Sequence, residues 1–206
     1  MPETIELKEL VEKDLSKNLV GANILLDRFK VIDDNSRKTA VYNDPRYAPF
    51  YYHLGKYVKP KKLVEFGFGL GFISGSFLTS CKSVERFVGF QPTPDEFYSP
   101  TLGKANIKRV YKGNFESYVG GIFDKRLDVI LGAGADFVIM NEETTYENHR
   151  VYMEFMWERM SLDGFMVIDH AHQHEPCRKA FADFCKIVNR EPVLCKTRYG
   201  AGLIKR

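Results

Sequence analysis

Residues 61–72 read KKLVEFGFGLGF, an apolar run holding one carboxylate, Glu65, followed by glycines at 67, 69 and 71. Glycine lets the backbone turn sharply and approach a ligand, and a helix starting just beyond such a turn offers free N–H groups. Dinucleotide loops follow G-x-G-x-x-G, whereas here the spacing is G-x-G-x-G with the acid two residues earlier. A carboxylate at that place suits a ligand carrying an ammonium group better than one carrying phosphates. A second set of chemically able residues lies later in the chain, at His170, His172 and His174. His170 or His172 is a candidate general base, since histidine titrates near neutrality. His170, His172 and His174 alternate with Ala171 and Gln173, so in an extended segment all three face one way. Three imidazoles on one side of a strand end are a candidate transition-metal site, with Asp169, His170 and His172 as the ligand set.

These residues must be held by the elements around them. From Ile5 to Phe29 apolar residues recur mostly at threes and fours, which predicts one or two amphipathic helices serving as a cap or a homo-oligomer contact. A polar hinge at 33–38 leads into an aromatic segment in which Pro45 suits a helix start at Asn43 and Asp44, with Gly55 and Pro60 marking its end. Tyr42, Tyr47, Phe50, Tyr51 and Tyr52 are read as that helix packing on a sheet. After Pro60 come short apolar runs at 63–66, 87–90, 137–140 and 165–168, with a weaker one at 107–111. Their length and spacing predict buried parallel strands joined by crossover helices. Two last runs, 193–197 and 201–204, are so closely joined that they form an antiparallel pair. The expected fold class is α/β, a doubly wound, mostly parallel Rossmann-like sheet with a C-terminal antiparallel strand pair, preceded by N-terminal helices. It is one domain over 1–206, with a helical extension at 1–44 and the core at 45–206.

Composition narrows the function classes. A length of 206 residues with 44% hydrophobic and 28% charged residues is that of a globular domain with a substantial core. The net charge of +3 gives no electrostatic footprint for nucleic acid, and Lys104, Lys108, Arg109 and Lys112 are read as a solvated basic face around a third strand. Cys81, Cys177, Cys185 and Cys195 lack the spacing of a zinc site and are expected as reduced thiols. The first 18 residues contain no apolar signal core and no run of 18 apolar residues occurs, so the expectation is a cytoplasmic protein without a membrane span.

Val64-Glu65-Phe66-Gly67-Phe68-Gly69-Leu70-Gly71 resembles the first motif of the class I S-adenosylmethionine-dependent methyltransferases, Val-Leu-Glu/Asp-x-Gly-x-Gly-x-Gly. The resemblance covers roughly residues 45–206. It implies that Glu65, Gly67, Gly69 and Gly71 hold the methionine part of the cofactor. It also places Gln91, at the end of the second strand, where the family has an acid for the ribose hydroxyls. An amide accepts and donates without the help of a charge, so weaker cofactor binding is implied. Gly113-Asn114-Phe115-Glu116 matches a Gly-Asp-Ala/Ser segment, which puts Asn114 near the adenine.

Residues 136–147 and 161–170 are similar to the small-molecule O-methyltransferase subgroup, in which three acids of metal-dependent members bind a divalent cation that acidifies the acceptor hydroxyl. The matching residues here are Asn141, Asp169 and His170, one carboxylate of three. That set is poor for Mg2+, and an imidazole suits Zn2+, Fe2+ or Mn2+ better. The implied function is methyl transfer from S-adenosylmethionine to a small-molecule acceptor, an oxygen before a nitrogen, with Asn141, Asp169 and His170 as the catalytic candidates. Two rivals stand beside it: a catalytically silent binding or assembly protein on the same fold, and a histidine-bound metal doing other chemistry.

Overall fold

The computed structural model describes residues 2–17, 47–91, 100–121, 124–132, 134–142, 144–197 and 199–206. In chain order the described elements are α1 (Thr4–Lys17), α2 (Tyr47–Tyr57), β1 (Lys62–Phe66), α3 (Phe72–Ser80), β2 (Arg86–Gln91), α4 (Pro100–Val110) and β3 (Asn114–Val119). Then follow α5 (Leu127–Leu131), β4 (Ala135–Met140), α6 (Tyr146–Arg159), β5 (Met160–Ile168), α7 (Glu175–Ile187), β6 (Val193–Cys195) and β7 (Ala201–Lys205). The strands form one seven-stranded sheet in the order β3-β2-β1-β4-β5-β7-β6. β1 to β5 run parallel, while β7 is antiparallel to both β5 and β6.

Side chains alternate between the two faces of the sheet. Leu63, paired in register with Phe137 and through it with Phe165, joins one core cluster with α1, α2 and α3. Val64, Val138, Met166 and Ile204 point the other way into a second cluster with α5, α6 and α7. Because both faces are covered, the central strands read as continuous apolar runs rather than as alternating ones.

The apolar run at 107–111 is not a strand. It is the last turn of α4, where Ile107 is buried against Gly71, and the third strand is Asn114–Val119. That strand forms a sheet edge, and its polar, partly exposed sequence carries little apolar signal. Lys104, Lys108 and Arg109 therefore belong to a helix. Gly55 does not end α2 but lies within it: a Cβ there would stand 2.5 Å from Ser80 Oγ and 2.6 Å from the Phe77 carbonyl, so glycine permits close packing of α2 on α3. The proposed helix start at Asn43 and Asp44 lies outside the described residues, as does Tyr42.

Helix α1 packs against the core. Its Leu7 and Val11 are fully buried in the first core cluster, and Lys205 Nζ of β7 pairs with Glu3 at 2.7 Å. Asp14 lies 3.2 Å from His53 Nδ1 and 3.1 Å from Lys56 Nζ of α2. The remainder of the helical stretch read up to Phe29 lies outside the described residues. All four cysteines are buried free thiols.

Candidate active site

Parallel pairing brings the carboxyl ends of four strands to one edge of the sheet. Phe66 is level with Phe90 and with Met140, which is level with Ile168. The residues that follow β1, β4 and β5 continue the ladder: Gly67 N–H donates to Phe90 O (2.8 Å), Asn141 N–H to Phe66 O and Asp169 N–H to Met140 O (both 2.9 Å). Glu65, Gly67, Gln91, Asn141 and Asp169 are thus gathered where ligands bind in open α/β sheets.

The glycine turn requires its glycines. Gly67, Gly69 and Gly71 have φ of 78°, 46° and 72°, in the left-handed region that glycine enters without strain. A Cβ on Gly67 would also lie 2.3 Å from the carbonyl oxygen of Asn141. Two of the candidate site residues brace this turn from its flanks. Gln91 Oε1 accepts the N–H of Gly69 at 2.9 Å, and Asn141 Nδ2 donates to the Gly67 carbonyl at 3.0 Å. Asn106 of α4 adds a third brace by donating to the Leu70 carbonyl at 3.0 Å.

Glu65 is fully buried on β1, and neither of its carboxylate oxygens has a hydrogen-bond partner among the described residues. Burial pushes its carboxyl up to about 8; the hydroxyl and backbone N–H of Ser74 on α3, which face it without closing a hydrogen bond, pull against that, and the charge of Asp169 adds to it. A carboxyl in such surroundings ionises readily only when a cation arrives.

Asp169 is 2% exposed, and its Oδ2 accepts a short hydrogen bond from the hydroxyl of Tyr47 on α2. His170 Nε2 lies 3.3 Å from the same oxygen. Burial raises the Asp169 carboxyl, opposed by His170, by the Tyr47 hydroxyl, by the His170 backbone N–H and by the Tyr51 hydroxyl. Tyr47 and Tyr51 are both buried, and their phenols are held well above 10 by burial first and by the charge of Asp169 next. His170 has a φ of 60°, uncommon for a residue with a side chain, and its ring lies 4.6 Å from that of Tyr199. Such conformations cluster at functional sites.

Two more titratable groups border this edge. Burial pushes Glu142, beside Gly67, up to about 7. Burial, with His174 and then His170 adding to it, pushes His149 of α6 down to about 4.

Two sequence expectations do not survive. The histidines do not share one face, because the left-handed His170 turns the chain, and 169–173 is a turn tied back by Ala171 N–H to Gly200 O (3.0 Å) and His172 N–H to Tyr199 O (3.2 Å). His172 is exposed, and His174 caps α7 with its ring 5.6 Å from His149. Among the described residues no group of three or more His, Cys, Asp or Glu side chains stands close enough to hold a metal ion. The set Asp169, His170 and His172 is therefore not assembled. Asn114 is misplaced as well. It opens β3 opposite Arg86, at the amino end of the strands, and its amide donates to Glu116 Oε1 at 3.1 Å. At about 3.3 Å per strand residue, that is on the order of 17–20 Å from the glycine turn.

Tyr47, Tyr51, Ser74 and Tyr199 were not singled out for chemistry by sequence. The one available signal was the pair of tyrosines four residues apart, which lie on one helical face and each bring a hydroxyl that needs a partner when buried.

No protein-family model matches the sequence, and no curated protein matches it. Solved structures do resemble the chain. An O-methyltransferase from Bacillus cereus, in complex with S-adenosylhomocysteine, superposes with a TM-score of 0.66 at 14% identity, covering 95% of this chain and 97% of that one. TomG from Streptomyces achromogenes, an O-methyltransferase of tomaymycin synthesis in complex with S-adenosylmethionine, gives 0.62 at 12% identity and covers 98% of each chain. A methyltransferase from Podospora anserina bound to S-adenosylhomocysteine gives 0.57 at 13%, covering 98% and 96%. The chain has the class I S-adenosylmethionine-dependent methyltransferase fold. Among the described residues no helix is long and apolar enough to cross a membrane.

Proposed function

We propose that the chain binds S-adenosylmethionine at the glycine turn and transfers its methyl group to a small-molecule acceptor, an oxygen before a nitrogen. The observation that carries this reading is Glu65, a fully buried carboxyl beside the glycine turn with both oxygens unpartnered. Native proteins rarely leave such groups unsatisfied, and the ammonium of the cofactor's methionine moiety supplies the missing partner. Gly67, Gly69 and Gly71 let the backbone approach that moiety. Gln91 offers its amide to the ribose while its carbonyl oxygen holds Gly69.

When bound, the cofactor supplies a methyl group already activated on a sulfonium, so alignment contributes much of the acceleration. The chain's own part is to orient the acceptor at Asn141, Asp169 and His170 and to take its proton. His170 receives the acceptor's O–H proton, and Asp169 balances the imidazolium that forms. The metal-dependent alternative lacks its ligands among the described residues, and no step is assigned to a cation.

Methyl-labelled S-adenosylmethionine offered with a panel of hydroxylated and amine-bearing small molecules tests the reading. Label is expected in a hydroxylated member and lost by at least tenfold in His170→Gln and Asp169→Asn. Cofactor binding without transfer to any member would return the chain to a binding role. Undiminished transfer by both variants would remove these residues from the chemistry.

A further inference from the structure

We infer that Tyr47 is a positioning residue that sets, through Asp169, which nitrogen of His170 carries the proton. This deepens the reading of His170 as the base and does not depend on cofactor binding. Oδ2 of Asp169 is shared by two groups, the Tyr47 hydroxyl and His170 Nε2. A phenol hydroxyl that donates to this oxygen marks it as an acceptor, and an acceptor oxygen 3.3 Å from Nε2 favours a hydrogen on Nε2. The imidazole lone pair then lies on Nδ1. Tyr47 also reaches His170 by a second route: its ring packs edge-on at 6.3 Å against Tyr199, whose ring lies 4.6 Å from His170. A near-parallel contact with Phe72 at 6.2 Å seats the Tyr47 ring at the start of α3, directly after the glycine turn. Helix α2 therefore connects the cofactor turn with the orientation of the base.

The hydroxyl matters because it is the donor seated on the buried Asp169 oxygen that faces His170 Nε2. Asp169 Oδ1 has no partner among the described residues, and burial already raises the Asp169 carboxyl. Without the Tyr47 hydroxyl the Asp169 carboxylate loses the hydrogen bond that fixes Oδ2 beside His170 Nε2. Freed from that hydroxyl, the carboxyl group turns away from Nε2, and the preference for a hydrogen on Nε2 falls towards the form protonated on Nδ1.

Long-range proton–nitrogen NMR of the cofactor-free chain at pH 7.5 reads this directly, with His170 assigned by the loss of its signals in His170→Gln. Wild type is expected to hold the Nε2-protonated form. Tyr47→Phe, which keeps the ring and removes only the hydroxyl, is expected to shift the tautomer ratio towards Nδ1–H by about three- to tenfold, the equivalent of one net hydrogen bond. Asp169→Asn is expected to shift it as far or further. A ratio unchanged within twofold in a folded Tyr47→Phe protein overturns the inference, as does an Nδ1-protonated wild type. Should Tyr47→Phe fail to fold, wild type carries the test: the Tyr47 hydroxyl proton must give a slowly exchanging downfield line with cross-relaxation to the His170 ring, and its absence overturns the inference. Cofactor titrations are independent of all these readouts, so failure here leaves the methyl-transfer reading standing, and the converse holds.

Discussion

Gln91 Oε1 accepts the backbone N–H of Gly69 at 2.9 Å, so the last residue of β2 braces the glycine turn. A carboxylate at this place would accept the same N–H with the added strength of its charge. If Gln91 meets the ribose as proposed, Gln91→Glu is expected to bind S-adenosylhomocysteine about three- to tenfold more tightly by calorimetry, because charge-assisted hydrogen bonds to the ribose hydroxyls exceed neutral ones by roughly 1 kcal/mol. Gln91→Ala leaves the buried Gly69 N–H unsatisfied and is expected to lower stability by about 1–3 kcal/mol in denaturant unfolding. Equal affinity in Gln91→Glu and wild type would remove the side chain from the ribose site.

Glu65 gives the site a pH signature. Its carboxyl is protonated below about 8 in the free protein, whereas a bound ammonium requires the ionised form. Affinity for S-adenosylhomocysteine is expected to rise with pH up to about 8 and then level off. Binding at pH 7 should release close to one proton, measured by calorimetry in two buffers of different ionisation enthalpy. Glu65→Gln should abolish that release.

The same group predicts how the stability of the ligand-free chain changes with pH. The folded value is raised from an ordinary 4.5 to about 8, so between these values the folded state holds a proton that the unfolded state has lost. Stability contributed at this site is present below about pH 4.5 and is lost as pH rises towards 8. Thermal melts should show Glu65→Gln gaining on wild type at pH 8 relative to pH 5. A constant difference at the two pH values contradicts the assignment.

At Gly67 the left-handed backbone and the 2.3 Å approach to the Asn141 carbonyl act together. Gly67→Ala is expected to cost about 2–4 kcal/mol, on the order of 5–10 °C in melting temperature, and to abolish cofactor binding. Leu7→Ala tests whether α1 belongs to the domain. Truncating a fully buried leucine is expected to cost about 2–4 kcal/mol, whereas a loosely attached extension would show no change.

Much of the sheet was legible because parallel strands covered on both faces must be apolar throughout, as at 63–66 and 137–140. The edge strand β3 was not: Asn114, Glu116 and Ser117 face partial solvent, so burial imposes no pattern on them. That miss carried Asn114 with it, since a motif anchored to a strand's amino end was assigned to its carboxyl end. The glycine turn was readable from its own spacing, and the positions of Gln91, Asn141 and Asp169 from the resemblance to the methyltransferase motifs. What each side chain touches was not, because Gly69 and Gln91 are 22 residues apart and Tyr47 and Asp169 are 122 apart. The histidine alternation misled because a single left-handed residue, His170, breaks the extended geometry that the alternation presupposes.

The central claim is that the glycine turn with Glu65 receives the methionine end of S-adenosylmethionine, and isothermal calorimetry on the untagged chain tests it most directly. The account predicts one site for S-adenosylmethionine and for S-adenosylhomocysteine, each weakened at least tenfold by Glu65→Gln. No heat and no thermal shift with either ligand at millimolar concentration would contradict it.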